Sequence, residues 1–165
     1  ASIERTYKVN VLSLYWMTQA FLPAMVQANR GCVVTISSAS GMLGVAKLTD
    51  YAASKFAAFG FMESLRSELR MKGSSVNTLT VCPHYIGTGM FDGVQTKFPW
   101  LLPILDETKV AAKILRSVEK GKAMLVMPKF VHVIPVVRVL PIRAFDKVTD
   151  FFGVNRTMDK FRGRN

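Results

Sequence analysis

Cysteine and histidine are scarce. Cys32, Cys82, His84 and His132 are the only such residues in 165. Two thiols make no disulfide framework, and the four residues form no cluster at zinc-ligand spacing. A disulfide-stapled scaffold and a structural metal centre are therefore excluded, and no metal ligand is expected. Acidic side chains number half the basic ones, 11 against 22, for a formal net charge of +11. No run of about 18 purely apolar residues occurs, and the first residues lack the charged-then-apolar layout of a secretory signal, so neither a spanning helix nor a leader is expected from the pattern. G-x-G-x-x-G is absent as well, and with it the glycine-rich turn that cradles a dinucleotide phosphate.

What is present is core material. Half of the residues are hydrophobic, with 11 Phe, 4 Tyr and 2 Trp, far too many for a disordered basic arm. The charge is uneven: residues 1–108 hold nine basic and seven acidic side chains, residues 109–165 thirteen and four. The basic character belongs to the last third.

Apolar residues Val9, Leu12, Trp16, Ala20, Met25 and Ala28 recur at helical spacing from Ile3 to Asn29, predicting a long helix bent at Pro23. Cys32 to Ile36 reads as a buried strand that empties into the small-residue loop Ser37–Gly41. A second helix runs from a cap at Thr49 or Asp50 to Lys72, and a second buried strand from Val76 to Cys82, stopped by Pro83. Asp106 is placed to cap a helix over 108–119, and Ala123 to Met127 forms a third strand. This alternation predicts an α/β fold with a parallel sheet and crossover helices. In such sheets ligands sit beyond the carboxyl ends of the strands, which directs attention to residues 37–41, 83–93 and the loop after Met127.

Tyr51 and Lys55 stand four apart on one helix and so share a face. An ammonium beside a phenol favours the phenolate, and a pair so tuned can take or return the proton of an alcohol. Taken alone, the spacing is weak evidence and fits a helix-surface pair better. Ser38, thirteen residues earlier at a strand end, can hydrogen-bond the same substrate oxygen, and Ala52, Ala53 and Ser54 let the helix approach a flat ligand.

The phrases I-S-S-A-S-G, Y-A-A-S-K and V-C-P-H-Y-I-G-T, with V-N-V upstream, resemble the catalytic half of a short-chain dehydrogenase/reductase over residues 3–128. The resemblance implies the C-terminal part of a Rossmann-like doubly wound sheet, three strands here, followed by a helical tail. It makes residues 1–128 the catalytic half of a dehydrogenase domain and 129–165 a basic amphipathic extension. It implies an NAD or NADP cofactor and gives roles by position. Tyr51 would be the general acid/base and Ser38 the group orienting the substrate oxygen. Lys55 would hold the nicotinamide ribose and lower the Tyr51 pKa, and Asn10 would kink its helix and hold a relay water. Pro83, Ile86 and Thr88 match the loop that contacts the nicotinamide, with His84 replacing the usual Gly; there the His serves shape rather than catalysis. Phrases such as A-F-L-P-A-M and S-K-F-A-A-F-G-F are closer to the epidermal-type retinol dehydrogenase and membrane-associated 17-beta-hydroxysteroid dehydrogenase branch. That branch implies a lipophilic alcohol or ketone, met by Ser38, Tyr51, His84, Met90 and Phe91, and a membrane-associated location at the endoplasmic reticulum or lipid droplets. The resemblance also implies a homodimer. Because the chain opens with Ala directly in a helical pattern and lacks the glycine fingerprint, an N-terminal part is expected to be missing. The first strand is then an unpaired edge, and the chain alone is expected not to bind dinucleotide.

The tail from Lys129 to Gly153 mixes apolar residues with Arg138, Arg143 and Lys147 and is broken by Pro135 and Pro141. It suits helices lying in a headgroup interface, or equally a cover over the substrate cleft. Arg156, Lys160, Arg162 and Arg164 read as a frayed basic terminus. No motif for nucleic acid lies among the basic residues, so none is expected as a partner. The alternative to an enzyme is a non-catalytic truncated relative on membrane or droplet surfaces. A serine hydrolase fits poorly, since G-x-S-x-G is absent.

Overall fold

The computed structural model describes residues 3–162. Arg164 of the expected basic terminus lies outside them. Three parallel strands, β1 (Cys32–Ile36), β2 (Asn77–Pro83) and β3 (Met124–Met127), make one sheet in the order β1-β2-β3. Val34 aligns with Leu79, and Val81 with Leu125. The crossovers are α3 (Thr49–Met71) and α4 (Glu107–Glu119), one on each face of the sheet.

The central strand is buried at Leu79, Val81 and Cys82, as expected of a parallel strand covered on both faces. β1 departs from expectation: of its five residues only Thr35 is buried, and Val34 and Ile36 are exposed. The reason is alternation. Side chains of Cys32, Val34 and Ile36 share the face of Leu79 and Val81, which α4 covers, but α4 reaches β2 and β3 and leaves the edge strand bare. On the other face Val33 packs with Met62, Leu65 and Leu69 of α3.

The leading helix is three pieces: α1 (Ile3–Tyr7), a π-helical turn over Lys8–Leu12, and α2 (Ser13–Gln27). Its irregularity falls at Asn10; Pro23 lies inside α2 without ending it. A π turn adds a residue to the helical turn and re-aims a side chain. Here that side chain is Asn10, whose Nδ2 donates to Ser54 Oγ at 3.0 Å. The helix runs beside α3 through Thr6 to Asp50 (3.2 Å) and Tyr15 against Phe61. Asp50 is thus drawn to Thr6, and neither Thr49 nor Asp50 caps α3; Leu48 is its cap position, with no side-chain bond. Asp106 does cap α4, accepting from the Lys109 amide at 2.8 Å. Ile3–Gln27 is also, by length and composition, long and apolar enough to cross a membrane. The sequence pattern concealed this because Asn10, Ser13, Thr18 and Gln19 break the apolar run without adding charge.

Beyond β3 the chain forms a 3-10 turn (Lys129–Val133), α5 (Ile134–Val137), α6 (Ile142–Phe151) and a 3-10 turn at Val154–Arg156. Val131 and Ile134 join Cys82 and Val126 in one core cluster, so this segment packs on the body. Within the described residues, up to Arg162, the basic terminus folds back: the Arg162 amide donates to Asp92 O (2.9 Å), and Lys47 pairs with Asp159 (2.6 Å).

Candidate active site

At the carboxyl ends of β1 and β2 lies a cavity of about 570 Å³. All ten residues singled out from the sequence line it: Asn10, Ser38, Tyr51, Lys55, Pro83, His84, Ile86, Thr88, Met90 and Phe91. Its floor comes from the β1 end and α3. Ser38 is extended and buried, its Oγ accepting from the Ser40 amide at 3.1 Å and hydrogen-bonded to the Tyr51 side chain. The loop meets the helix closely because Gly41 is there. A Cβ at position 41 would sit 2.4 Å from Ser37 Oγ and 2.6 Å from Lys55 O, and Ser37 Oγ donates to that same Lys55 carbonyl at 2.8 Å.

Burial holds the Tyr51 phenol above its ordinary pKa; the Ser38 hydrogen bond pulls the other way, and Tyr85 adds to the rise. The expected lowering by Lys55 is therefore not the net effect in this arrangement. Lys55 Nζ lies 5.6 Å from the Tyr51 ring centroid and donates to Ile36 O at 2.8 Å, while burial lowers its own pKa. Tyr51 is thus a protonated phenol at neutral pH. Asn10 connects to the floor through Ser54, whose Oγ also donates to Tyr51 O at 2.7 Å. Ser54 looked merely small in the sequence; its hydroxyl is a link that only the π turn brings into use.

The loop after β2 forms one wall. The Gly87 amide donates to Leu105 O (2.9 Å), and the Leu105 amide to Tyr85 O (2.8 Å), fixing Ile86 and Thr88 beside the strand ends. Tyr85 Oη meets Thr157 Oγ1 at 2.9 Å, and the Tyr85 ring packs edge-on against Phe91. His84 hydrogen-bonds the backbone of Pro103, burial lowers its pKa to about 4, and its Nδ1 is buried without a partner. The roof is the tail: Phe130, Ile134, Val137, Phe145, Val148 and Phe152. The segment covers the cleft, one of two mutually compatible settings open to it. These residues were not singled out, although the 3.6-residue recurrence of Phe145, Val148 and Phe152 was available as a signal.

The donor set fits one end of a nicotinamide dinucleotide. An ammonium and a phenol stand beyond the ends of parallel strands, where such ligands lie. No glycine-rich phosphate turn exists in the sequence to hold the other end.

Residues 1–98 match the family described as short chain dehydrogenase. The chain is 50% identical over 132 residues to short-chain dehydrogenase/reductase family 16C member 6 of Bos taurus, covering 79% of this chain and 42% of that protein. It is 43% identical over 164 residues to epidermal retinol dehydrogenase 2 of Mus musculus, covering 98% and 53%. The chain thus spans about half the length of the relatives it matches. A short-chain dehydrogenase from Burkholderia cenocepacia, solved in complex with NADP, superposes with a TM-score of 0.74 over 92% of this chain and 61% of that one at 21% identity, a likeness of fold. The motifs, the sheet with its site at the strand ends and these matches agree: the chain belongs to the short-chain dehydrogenase/reductase family.

Proposed function

We propose that the protein is an NAD(P)-dependent oxidoreductase that interconverts a lipophilic alcohol and its carbonyl, of the retinol or hydroxysteroid class. The observation that carries this reading is the convergence of Ser38, Tyr51, Lys55 and Asn10 on a single cavity whose roof is aliphatic and aromatic. A dinucleotide, when bound, supplies the hydride acceptor or donor. Lys55 and Tyr51 would hold its ribose, and Pro83, Ile86 and Thr88 its nicotinamide end. Ser38 Oγ fixes the substrate oxygen, and Tyr51 Oη moves the proton: to a carbonyl oxygen in reduction, from a hydroxyl in oxidation. Asn10 holds the water through which Lys55 exchanges that proton with solvent. His84, Met90 and Phe91 shape the substrate side. Relatives named as retinol dehydrogenases support the substrate class. Such substrates partition into membranes, which supports a location at a membrane surface, the endoplasmic reticulum or lipid droplets. The bare stripe of Val9, Leu12, Trp16 and Phe21 suits a homodimer contact.

A non-catalytic protein of membrane or droplet surfaces is the second reading, favoured by the long apolar helix Ile3–Gln27, none of which is buried. Turnover separates the two. In the full-length protein, assayed in membranes with retinol or a 17-hydroxysteroid and each cofactor, Tyr51→Phe is expected to lower kcat at least about a thousandfold while leaving the melting temperature unchanged. Near-normal turnover in that variant refutes the assignment of Tyr51. Absence of turnover in the unaltered protein favours the second reading.

A further inference from the structure

The segment that roofs the cavity is apolar on both sides. Ile134, Val137, Phe145 and Val148 face the cavity. On the outer side of α5, of the turn that follows it and of the start of α6, Val136, Val139, Leu140 and Ile142 stand 69, 83, 41 and 77% exposed. A helix on a globular surface ordinarily turns polar residues outward. Here four aliphatics stand bare at one corner, between Pro135 and Arg143. An exposed cluster of this kind marks a contact surface.

The charge along this segment is of one sign. Between Met127 and Asp146 there is no acidic residue, whereas Lys129, Arg138 and Arg143 are basic. Among the described residues the ion pair within 4 Å is Lys47–Asp159, so none of these three cations is paired with a carboxylate there. Arg138 leans inward, donating from Nη1 to Met42 O at 3.0 Å above the Phe56 ring, and pins the corner to the body. The nearest acids on α6, Asp146 and Asp150, come one and two turns after the corner, and Asp150 accepts from Asn155 Nδ2.

We propose that the corner between α5 and α6 docks into the interface of an anionic lipid bilayer. Val136, Val139, Leu140 and Ile142 would enter the acyl boundary, with Arg143 and Lys129 at headgroup level. A second copy of this chain fits the corner poorly, because a two-fold contact would press Arg143 toward its own image. Nucleic acid supplies phosphates but nothing for bare aliphatics to bury against, and the corner has no aromatic to stack on a base. One consequence rests on the proposed function: a lipophilic substrate would pass from the bilayer through the thin wall between the corner and the cavity. Docking itself does not depend on it.

The test reads the corner directly. Full-length protein carrying Val139→Cys and Cys32→Ser is labelled with an environment-sensitive fluorophore; Cys82 is fully buried and stays unlabelled. The probe is vesicles of phosphatidylcholine and phosphatidylserine, 7:3, against pure phosphatidylcholine, without substrate or cofactor. A blue shift with the anionic vesicles is expected. Arg143→Glu with Lys129→Glu should raise the lipid concentration at half-saturation at least tenfold. The same label on Met71→Cys, exposed at the far end of α3 about 30 Å from Tyr51 by helical rise, should not respond. No shift with anionic vesicles, an equal shift on pure phosphatidylcholine, or an equal shift at Met71 overturns the proposal. A shift that grows with protein concentration alone assigns the face to a second copy, and one produced by RNA assigns it to nucleic acid; either also overturns it. Because no turnover is measured, failure here leaves the enzymatic reading standing, and loss of that reading leaves docking standing.

Discussion

The floor and the roof of the cavity are built by different means. The floor is made of small and polar residues, Ser37, Ser38, Gly41 and Ser54, locked by hydrogen bonds that span long stretches of chain: Ser37 to Lys55, Asn10 to Ser54 and Lys55 to Ile36. The roof is made of aromatic and aliphatic side chains on short broken helices, tied down by a few contacts such as Tyr85 with Thr157 and Lys97 with Phe151. Buried hydrogen-bonded networks in close-packed surroundings tolerate little displacement. Half-exposed apolar packing admits adjustment. Geometry for proton transfer is therefore kept where displacement is costly, and shape for a lipophilic ligand where it is not.

The largest test of this contrast is Tyr51→Phe, which removes the proton carrier and spares the fold. Next comes Gly41→Ala. The added methyl has no free volume, since it meets Ser37 Oγ and the Lys55 carbonyl, neither of which is the end of a flexible chain. Overpacking of this kind is expected to cost about 3 kcal/mol and to move Lys55 with the helix backbone. Urea unfolding would show the midpoint fall, and the residual enzyme would lose kcat. A cost below about 1 kcal/mol with full activity would mean that the floor yields as readily as the roof.

How much of this was legible beforehand follows the same division. The strand–helix alternation and the cluster Ser38, Tyr51, Lys55 rest on local patterns: β-branched runs, capping residues and fixed spacings, and the structure gathers those residues in one place. Asn10 was placed by a motif, but its hydrogen bond to Ser54 depends on a π turn that no periodicity encodes. The exposure of Val34 and Ile36 could not be read from a run that looks like any buried strand, because burial there is set by where α4 lies. The roof was ambiguous for a similar reason: Phe145, Val148 and Phe152 give an apolar face, and only packing decides whether it meets a cavity or a bilayer. The Tyr51 pKa went the other way from its motif because burial outweighs an ammonium whose own bond points to Ile36 O.

His84 lies between the two regions and gives an intermediate effect. Its folded pKa of about 4 is below the ordinary 6.5, so the unfolded chain binds a proton that the folded chain refuses. Stability from this group is complete above pH 6.5 and is lost as the pH falls from 6.5 toward 4. The full shift corresponds to roughly 3 kcal/mol, of which about 2–3 kcal/mol is lost by pH 4.5. Urea midpoints at pH 7 and pH 4.5 should differ by that much more in the unaltered protein than in His84→Asn. Equal pH dependence in both would show that the ring is more open to water than its unpartnered Nδ1 implies.

The smallest effect belongs to Lys97. Its Nζ donates to Phe151 O at 2.8 Å and stands 5.3 and 5.0 Å from the Phe98 and Phe151 ring centroids, joining the loop before α4 to the end of α6. The side chain is exposed, so water competes for the ammonium, and an exposed cation–π contact is worth only about 0.5–1 kcal/mol. Lys97→Ala should accordingly lower stability by about 1 kcal/mol, within reach of a denaturation curve but not enough to unfold the protein. Its sharper signature is local. Amide exchange over 145–152 should quicken, while amides of the Ser38 loop and α3 keep their protection, because the floor has no bond to this lysine. KM for a lipophilic substrate should rise severalfold with kcat held. Matching acceleration of exchange in floor and roof would mean that the two open as one unit, and that the cavity has a single stability rather than two.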